Sequence, residues 1–161
     1  MQKPATKKPI TIRTKLIKTA LIWAVLMLTL DRGLKLVSLL YWSQQPINLA
    51  GGWFLGHSIN HYLAFSLPWS GQLMIIILFV LNLGLLIGAI SSIKKQPLLI
   101  WGWSFLLAGS FSNIYDRIIY GGVIDYIASW WTFFNLADIL ILLGLFLIFK
   151  KHQNLNATLP F

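Results

Sequence analysis

Apolar residues run along this chain in four long stretches separated by short polar or aromatic breaks. From Lys18 to Tyr41 the run is interrupted mainly by DRGLK, residues 31–35. At about 1.5 Å of rise per residue it is long enough to cross a bilayer as a helix. No A-x-A-like cleavage site follows, so it reads as an uncleaved first span and not as a signal peptide. A second run extends from Leu73 to Ile93 and is closed by Lys94, Lys95 and Pro97. The third runs from Leu98 to Tyr115, and the fourth from Phe134 to Phe149, ahead of Lys150 and Lys151. Residues 42–70 are different, mixing Pro46, Gly51, Gly52 and Pro68 with Trp42, Trp53 and Trp69. Partial two-residue alternation over Gly56 to Ser66 predicts a small extramembrane β element there. The pattern therefore predicts an all-α polytopic membrane protein with four transmembrane helices and a β element between helices 1 and 2.

Composition agrees, because 57% of the residues are apolar and 11% charged, whereas soluble domains carry about 25% charged. The basic residues give the orientation. Residues 1–18, 94–96 and 150–151 hold ten of the thirteen Lys and Arg, which by the positive-inside rule puts both termini in the cytoplasm. The expected organisation is a basic tail over 1–16, a four-helix membrane domain over 17–150 with an outer loop at 42–70, and a second cytoplasmic tail over 151–161. A net charge of +9 is thereby explained by topology, and no nucleic-acid motif accompanies it. Without cysteine there is no disulfide, thiolate metal site or cysteine nucleophile.

The chain has four acids, Asp31, Asp116, Asp125 and Asp138, and no glutamate. All four fall at the outer ends of the expected helices or in the outer 118–133 loop. Acids are costly near a bilayer, so each should have a partner or a task. Asp31 and Lys35 are four apart and can pair, which fits a scaffold or an electrostatic frame. Asn113, Asp116 and Arg117 share a face of helix 3, where Arg117 is expected to neutralise Asp116 or to reach an acid on another helix. Asp125 and Asp138 have no basic residue between or beside them. Gly121 and Gly122, just before Asp125, permit a turn or a close backbone approach. Asp138 follows Asn135 by three, so both project from one face of the first turn of helix 4. Taken singly, Asp125 could be a solvated loop acid and Asp138 a favourable acid at a helix N-terminus. As a pair they fit shared-proton acid and base chemistry, because two close carboxylates cannot both ionise. His57 and His61 lack a third outer histidine and read as ordinary polar loop residues, so no metal site is expected. The tryptophans near helix ends, including Trp130 and Trp131, read as interfacial belts.

Four segments carry a family resemblance: LDRGLK in helix 1, NHYLAFS at 60–66, AGSFSNIYDRIIYGGVIDYI, and FNLAD opening helix 4. Together they resemble the bacterial lipoprotein signal peptidases, signal peptidase II, from Asp31 to about Lys150. Tyr62 and Leu63 stand where the family pattern has small residues, Ser112 where it has glycine, and Thr132 where it has proline. The resemblance implies a catalytic dyad at Asp125 and Asp138. It also implies site-supporting or substrate-binding roles for Asp31, Lys35, Asn60, Asn113, Arg117 and Asn135. The implied activity is an aspartic endopeptidase cutting before the lipidated cysteine of diacylglyceryl-modified prolipoproteins, at the outer face of the bacterial inner membrane. It would work as a monomer among membrane lipids, with no metal or cofactor. A catalytically inactive relative that binds precursors, or a small proton or ion conductor, are the alternatives.

Overall fold

The computed structural model describes residues 12–62 and 70–156, with backbone only for 152–156. These residues form four long helices: α1 Ile12–Val37, α2 Gln72–Lys95, α3 Ile100–Tyr120 and α4 Leu136–Asn156. A five-residue π-helical turn, Ser38–Trp42, prolongs α1. Helix α1 begins several residues before the predicted span, so Lys15 and Lys18 lie on it. The Leu63 to Ser66 part of NHYLAFS, Trp69 and most of both tails lie outside the described residues.

The helices are built the opposite way from those of a water-soluble domain. On α1 the buried residues are Ala20, Ala24, Asp31 and Lys35, while Leu21, Val25, Leu26 and Leu36 face outward. An apolar exterior around a polar interior is what a lipid solvent selects. Helix α2 and the segment Pro97–Tyr120 are, by length and composition, long and apolar enough to cross a membrane.

Helices α3 and α4 cross at backbone contact. A Cβ on Gly109 would lie 2.3 Å from the Ala137 carbonyl oxygen, and one on Gly144 would lie 2.6 Å from the Leu106 nitrogen. Only glycine allows this approach, which brings the C-terminal half of α3 against the first turn of α4.

The β element is larger than the alternation predicts. Four antiparallel strands stand in the order β1 Ile47–Asn48, β2 Phe54–Asn60, β3 Val123–Ala128 and β4 Phe133–Phe134. Half of the sheet thus comes from the α3–α4 connection and not from the 42–70 loop. Strand β3 is buried along nearly its whole length, so it shows no alternation for a sequence pattern to detect. Gly121, at φ 70°, ends α3 in the left-handed conformation, and Gly122 gives the close approach, since a Cβ there would meet Ile59 and the Asn60 carbonyl. Ser58 of β2 then pairs opposite Asp125 of β3.

Candidate active site

Asn135 is the residue on which the site converges. Its side-chain carbonyl accepts the Asp138 N–H at 3.0 Å, and the Asp138 carboxylate accepts the Asn135 N–H at 3.2 Å. This is a reciprocal cap on the first turn of α4, the arrangement in which an N-cap and the residue three later satisfy each other's free donors. With its oxygen so committed, the Asn135 amide nitrogen points the other way. It donates to Asp125 Oδ1 at 2.6 Å, and at 3.3 Å to the Ile124 carbonyl and to Asn113 Oδ1. Asn113 in turn donates its amide nitrogen to Asp138 Oδ1 at 2.8 Å. Asp125 on the sheet is therefore held by Asn135, and Asp138 on the helix by Asn135 and Asn113, the two asparagines being bonded to each other.

Asp125 is buried, and its carboxyl is pushed up to about 7, first by loss of solvent and then by the charge of Asp138. The Asn135 bond and the cations Lys35 and Arg117 oppose this rise without cancelling it. A carboxyl near neutrality can hold or release a proton at physiological pH. It lines a polar cleft of about 460 Å³ together with Asn60, His61, Tyr62 and Thr132.

Behind the pair lies an ionic network buried between α1 and α3. Lys35 Nζ reaches Asp31 at 3.0 Å and Asp116 at 2.7 Å, and donates to Asn113 Oδ1 at 3.0 Å. The last bond fixes which way the Asn113 amide faces, and so aims its nitrogen at Asp138. Arg32 closes on the other oxygen of Asp116. Asp116 is thus neutralised from α1, by Arg32 and Lys35, and not by the expected neighbour Arg117. Arg117 instead donates to the Asn113 and Tyr62 carbonyls, and its charge faces Asp138 and Asp125 before Asp116.

The expected Asp31–Lys35 pair is present but serves more than one end. Asp31 accepts from Ser112 at 2.5 Å, from the Tyr126 hydroxyl at 3.0 Å and from the Ala137 N–H at 3.1 Å. The Tyr126 hydroxyl also accepts the Leu136 N–H at 3.0 Å. Three of the free N–H groups at the start of α4 are thereby satisfied by Tyr126, Asp31 and Asn135. Burial and then the nearby Asp31 push the Tyr126 phenol up, which keeps it a neutral donor. Sequence reasoning missed Tyr126 and Arg32 as parts of this site; adjacency to Asp125 and to Asp31 is the one signal each carried.

Three polar residues of β2 and the segment after it remain. The Asn60 side chain accepts the Tyr62 N–H at 3.0 Å and faces the cleft, apart from the asparagine bridge. His57 Nδ1 meets Ser38 Oγ at 2.9 Å, and His61 Nδ1 meets the Gly121 carbonyl at 3.1 Å. Among the described residues, no group of three or more metal-ligating side chains converges.

A helical membrane protein with an asparagine-bridged carboxylate pair, its Asp125 buried, beside a small sheet is the class that this fold and site define. Residues 23–152 match the family model described as signal peptidase (SPase) II, and the chain belongs to that family. It is 35% identical over 108 residues to a lipoprotein signal peptidase of Buchnera aphidicola, covering 61% of this chain and 69% of that one. It is 30% identical over 147 residues to one from Chlorobaculum parvum, covering 80% and 91%. A solved bacterial membrane enzyme superposes with a TM-score of 0.74 at 21% identity, over 86% of this chain and 89% of the other.

Proposed function

We propose that this chain is an aspartic endopeptidase that removes the signal peptide from prolipoproteins, cleaving before the diacylglyceryl-modified cysteine. The observation that carries the reading is the Asn135 bridge, with Asp125 at 2.6 Å on its amide and Asp138 locked to its backbone. One carboxylate of the pair takes a proton from water, whose oxygen attacks the scissile carbonyl carbon. The other, protonated, donates to the carbonyl oxygen, and on collapse of the tetrahedral adduct the leaving nitrogen takes up a proton. The apparent pKa values belong to the pair, so the acid and base roles are shared. The charges of Lys35 and Arg117 favour ionisation of Asp125 while burial and the charge of Asp138 oppose it, and a single negative charge on the pair is the balance.

All four helices span the bacterial inner membrane in this reading, with both termini in the cytoplasm and the site at the outer face. What supports it is the gathering of every acid at one end of the helices and of most basic residues at the other. The precursor's acyl chains stay in lipid while its cleavage site enters the cleft. Asn60, Tyr62 and Thr132 line that entrance.

The test is cleavage of a synthetic diacylglyceryl-modified precursor by purified protein, beside the unlipidated precursor and the variants Asp125→Asn and Asp138→Asn. Cleavage of the lipidated form alone, lost in both variants, is the expected result. Full activity in either variant removes that aspartate from the dyad; no cleavage by folded wild-type protein leaves a precursor-binding relative as the better reading.

A further inference from the structure

Toward the end of the helices away from the aspartates, a groove of about 280 Å³ lies between α1, α2 and α3. Leu21, Ile93 and Ile100 line one end of it, and Leu28, Leu86 and Leu107 the other. From Leu21 to Leu28 is two turns of helix, about 10 Å. Helices α1 and α2 both pack on α3 and hardly touch each other, so the groove is the space left between them.

Two donors in this groove have no acceptor. Ser104 is the one lining residue with a hydroxyl, and it is 6% exposed. Neither its Oγ nor the buried Nε1 of Trp103, which also lines the groove, has a hydrogen-bond partner. Serine and threonine in a helix commonly return the hydroxyl to a carbonyl of the preceding turn, as Thr19 does to Lys15 and Ser110 to Leu107. A buried donor left unpaired is unfavourable, and hydrocarbon offers nothing to pair it with. What fills the groove must therefore bring an acceptor to Ser104 and Trp103.

Size and charge narrow the occupant. A helix about 10 Å across would need roughly 800 Å³ over that length, so the groove does not seat one. An alkyl chain fits, since an apolar cavity of about 150 Å³ already takes up benzene. The end at Ile93 and Ile100 adjoins the α2–α3 connection, where Lys94 and Lys95 are exposed, and Lys18, also exposed, lies one turn before Leu21. The four aspartates lie toward the other end of the helices, so these lysines have no side-chain carboxylate to pair with. Ser104 sits one turn, about 6 Å, inside the start of α3. The headgroup layer on one side of a bilayer is of similar depth, roughly 5–7 Å, with the ester carbonyls at its base and the phosphate above. Basic pockets between transmembrane helices on the cytoplasmic side suit anionic headgroups.

We propose that the groove binds one anionic phospholipid of the cytoplasmic leaflet. An acyl chain lies between α1, α2 and α3, an ester carbonyl accepts from Ser104 and Trp103, and the phosphate faces Lys18, Lys94 and Lys95. The choice of leaflet rests on the topology proposed above. The lipid is a structural ligand that joins α1 to α2, distinct from a substrate cleaved at the opposite face.

The test uses phosphatidylglycerol with a diazirine midway along one acyl chain, in vesicles with the wild-type protein, followed by irradiation and peptide mapping. The expected labels concentrate on 21–28, 86–93 and 100–108, and fall several-fold with excess unlabelled phosphatidylglycerol but not with phosphatidylethanolamine. Labels spread evenly over the outward helix faces overturn the proposal, as does equal competition by the two lipids. Displacement by a prolipoprotein precursor gives the groove to the substrate and also overturns it. A second arm works in an alkyl maltoside, which has no ester. There phosphatidylglycerol should raise the unfolding temperature of the wild type by several degrees, and that of Ser104→Ala by much less. Without lipid, Ser104→Ala should unfold no lower than the wild type; a lower midpoint, or an equal lipid shift, overturns the proposal. Neither arm needs turnover. Selective labelling of a protein that cleaves no precursor would keep the lipid site and overturn the peptidase reading, and even labelling of a protein that does cleave would do the reverse.

Discussion

Asn135 and Asp138 close a reciprocal cap at 3.0 and 3.2 Å, and this cap decides which way the Asn135 amide faces Asp125. A change that keeps the cap but removes the amide separates the two tasks. Serine caps a helix about as well as asparagine, yet it cannot reach Asp125 with an N–H. Asn135→Ser should therefore leave the unfolding midpoint nearly unchanged and lower kcat roughly 100-fold, the usual cost of one preorganised donor. Steady-state cleavage beside thermal unfolding in detergent checks it, and a parallel loss in both would show that the amide acts only on the fold.

In the proposed mechanism the proton on the pair sets the pH dependence. Asp125 is raised to about 7 from an ordinary 3.8, so the protonated member is lost as pH climbs through neutrality, and cleavage should fall about tenfold per unit above that. Arg117 is one of the groups that hold Asp125 down. Its replacement, Arg117→Gln, should move the alkaline break to higher pH in a pH–rate profile of kcat/KM. Stability follows the same sign: a raised carboxyl binds its proton more tightly folded than unfolded, so stability falls as pH rises from 3.8 toward about 7. Asp125→Asn should flatten that slope.

Lys35 and Arg32 both bond Asp116, but in different surroundings. Lys35 is fully buried between two carboxylates, whereas Arg32 is 27% exposed. Lys35→Met leaves two buried acids without it and should cost about 3 kcal/mol or more. Arg32→Gln should cost about 1 kcal/mol. Denaturant titrations of the two variants in one detergent give the comparison, and equal losses would contradict the burial argument.

Helix contact at Gly109 supports the site from below. A methyl there would lie 2.3 Å from the Ala137 carbonyl oxygen, one turn from the bond between Asn113 and Asp138. Gly109→Ala should destabilise by about 1–3 kcal/mol through overpacking and reduce cleavage by more than its loss of folded protein. Gly84→Ala, where nothing lies within 4 Å, should do neither.

Much of this was visible in the sequence because burying charge is costly. Four aspartates in an apolar chain had to gather, and Asp125 with Asp138 had to be the pair lacking local cations. Partner choice was less visible. Spacing along one helix left Arg117 to choose between Asp116 and an acid on another helix; the groups that reach Asp116, Arg32 and Lys35, come from another helix, 84 and 81 positions earlier by residue number. Ser112 stands where the family pattern has glycine. It turns toward α1, donating to Asp31 and accepting from Lys35. The second half of the sheet was hidden because VIDYIA is buried on both faces and Phe133–Phe134 is two residues long. Membrane crossing by α1 and α4 remains the reading of their hydropathy and charge.

The contacts of Asp31 bear on how the protein is made. A chain synthesised from its N-terminus inserts Asp31 and Lys35 long before Asp116, Tyr126 or Ala137 exists. During that interval the charges have only each other, one helical turn apart. Tyr126 and the first turn of α4 complete the set near the end of translation. A truncated or stalled chain therefore carries the scaffold without the scissors, and hydrolytic competence arrives with the last helix.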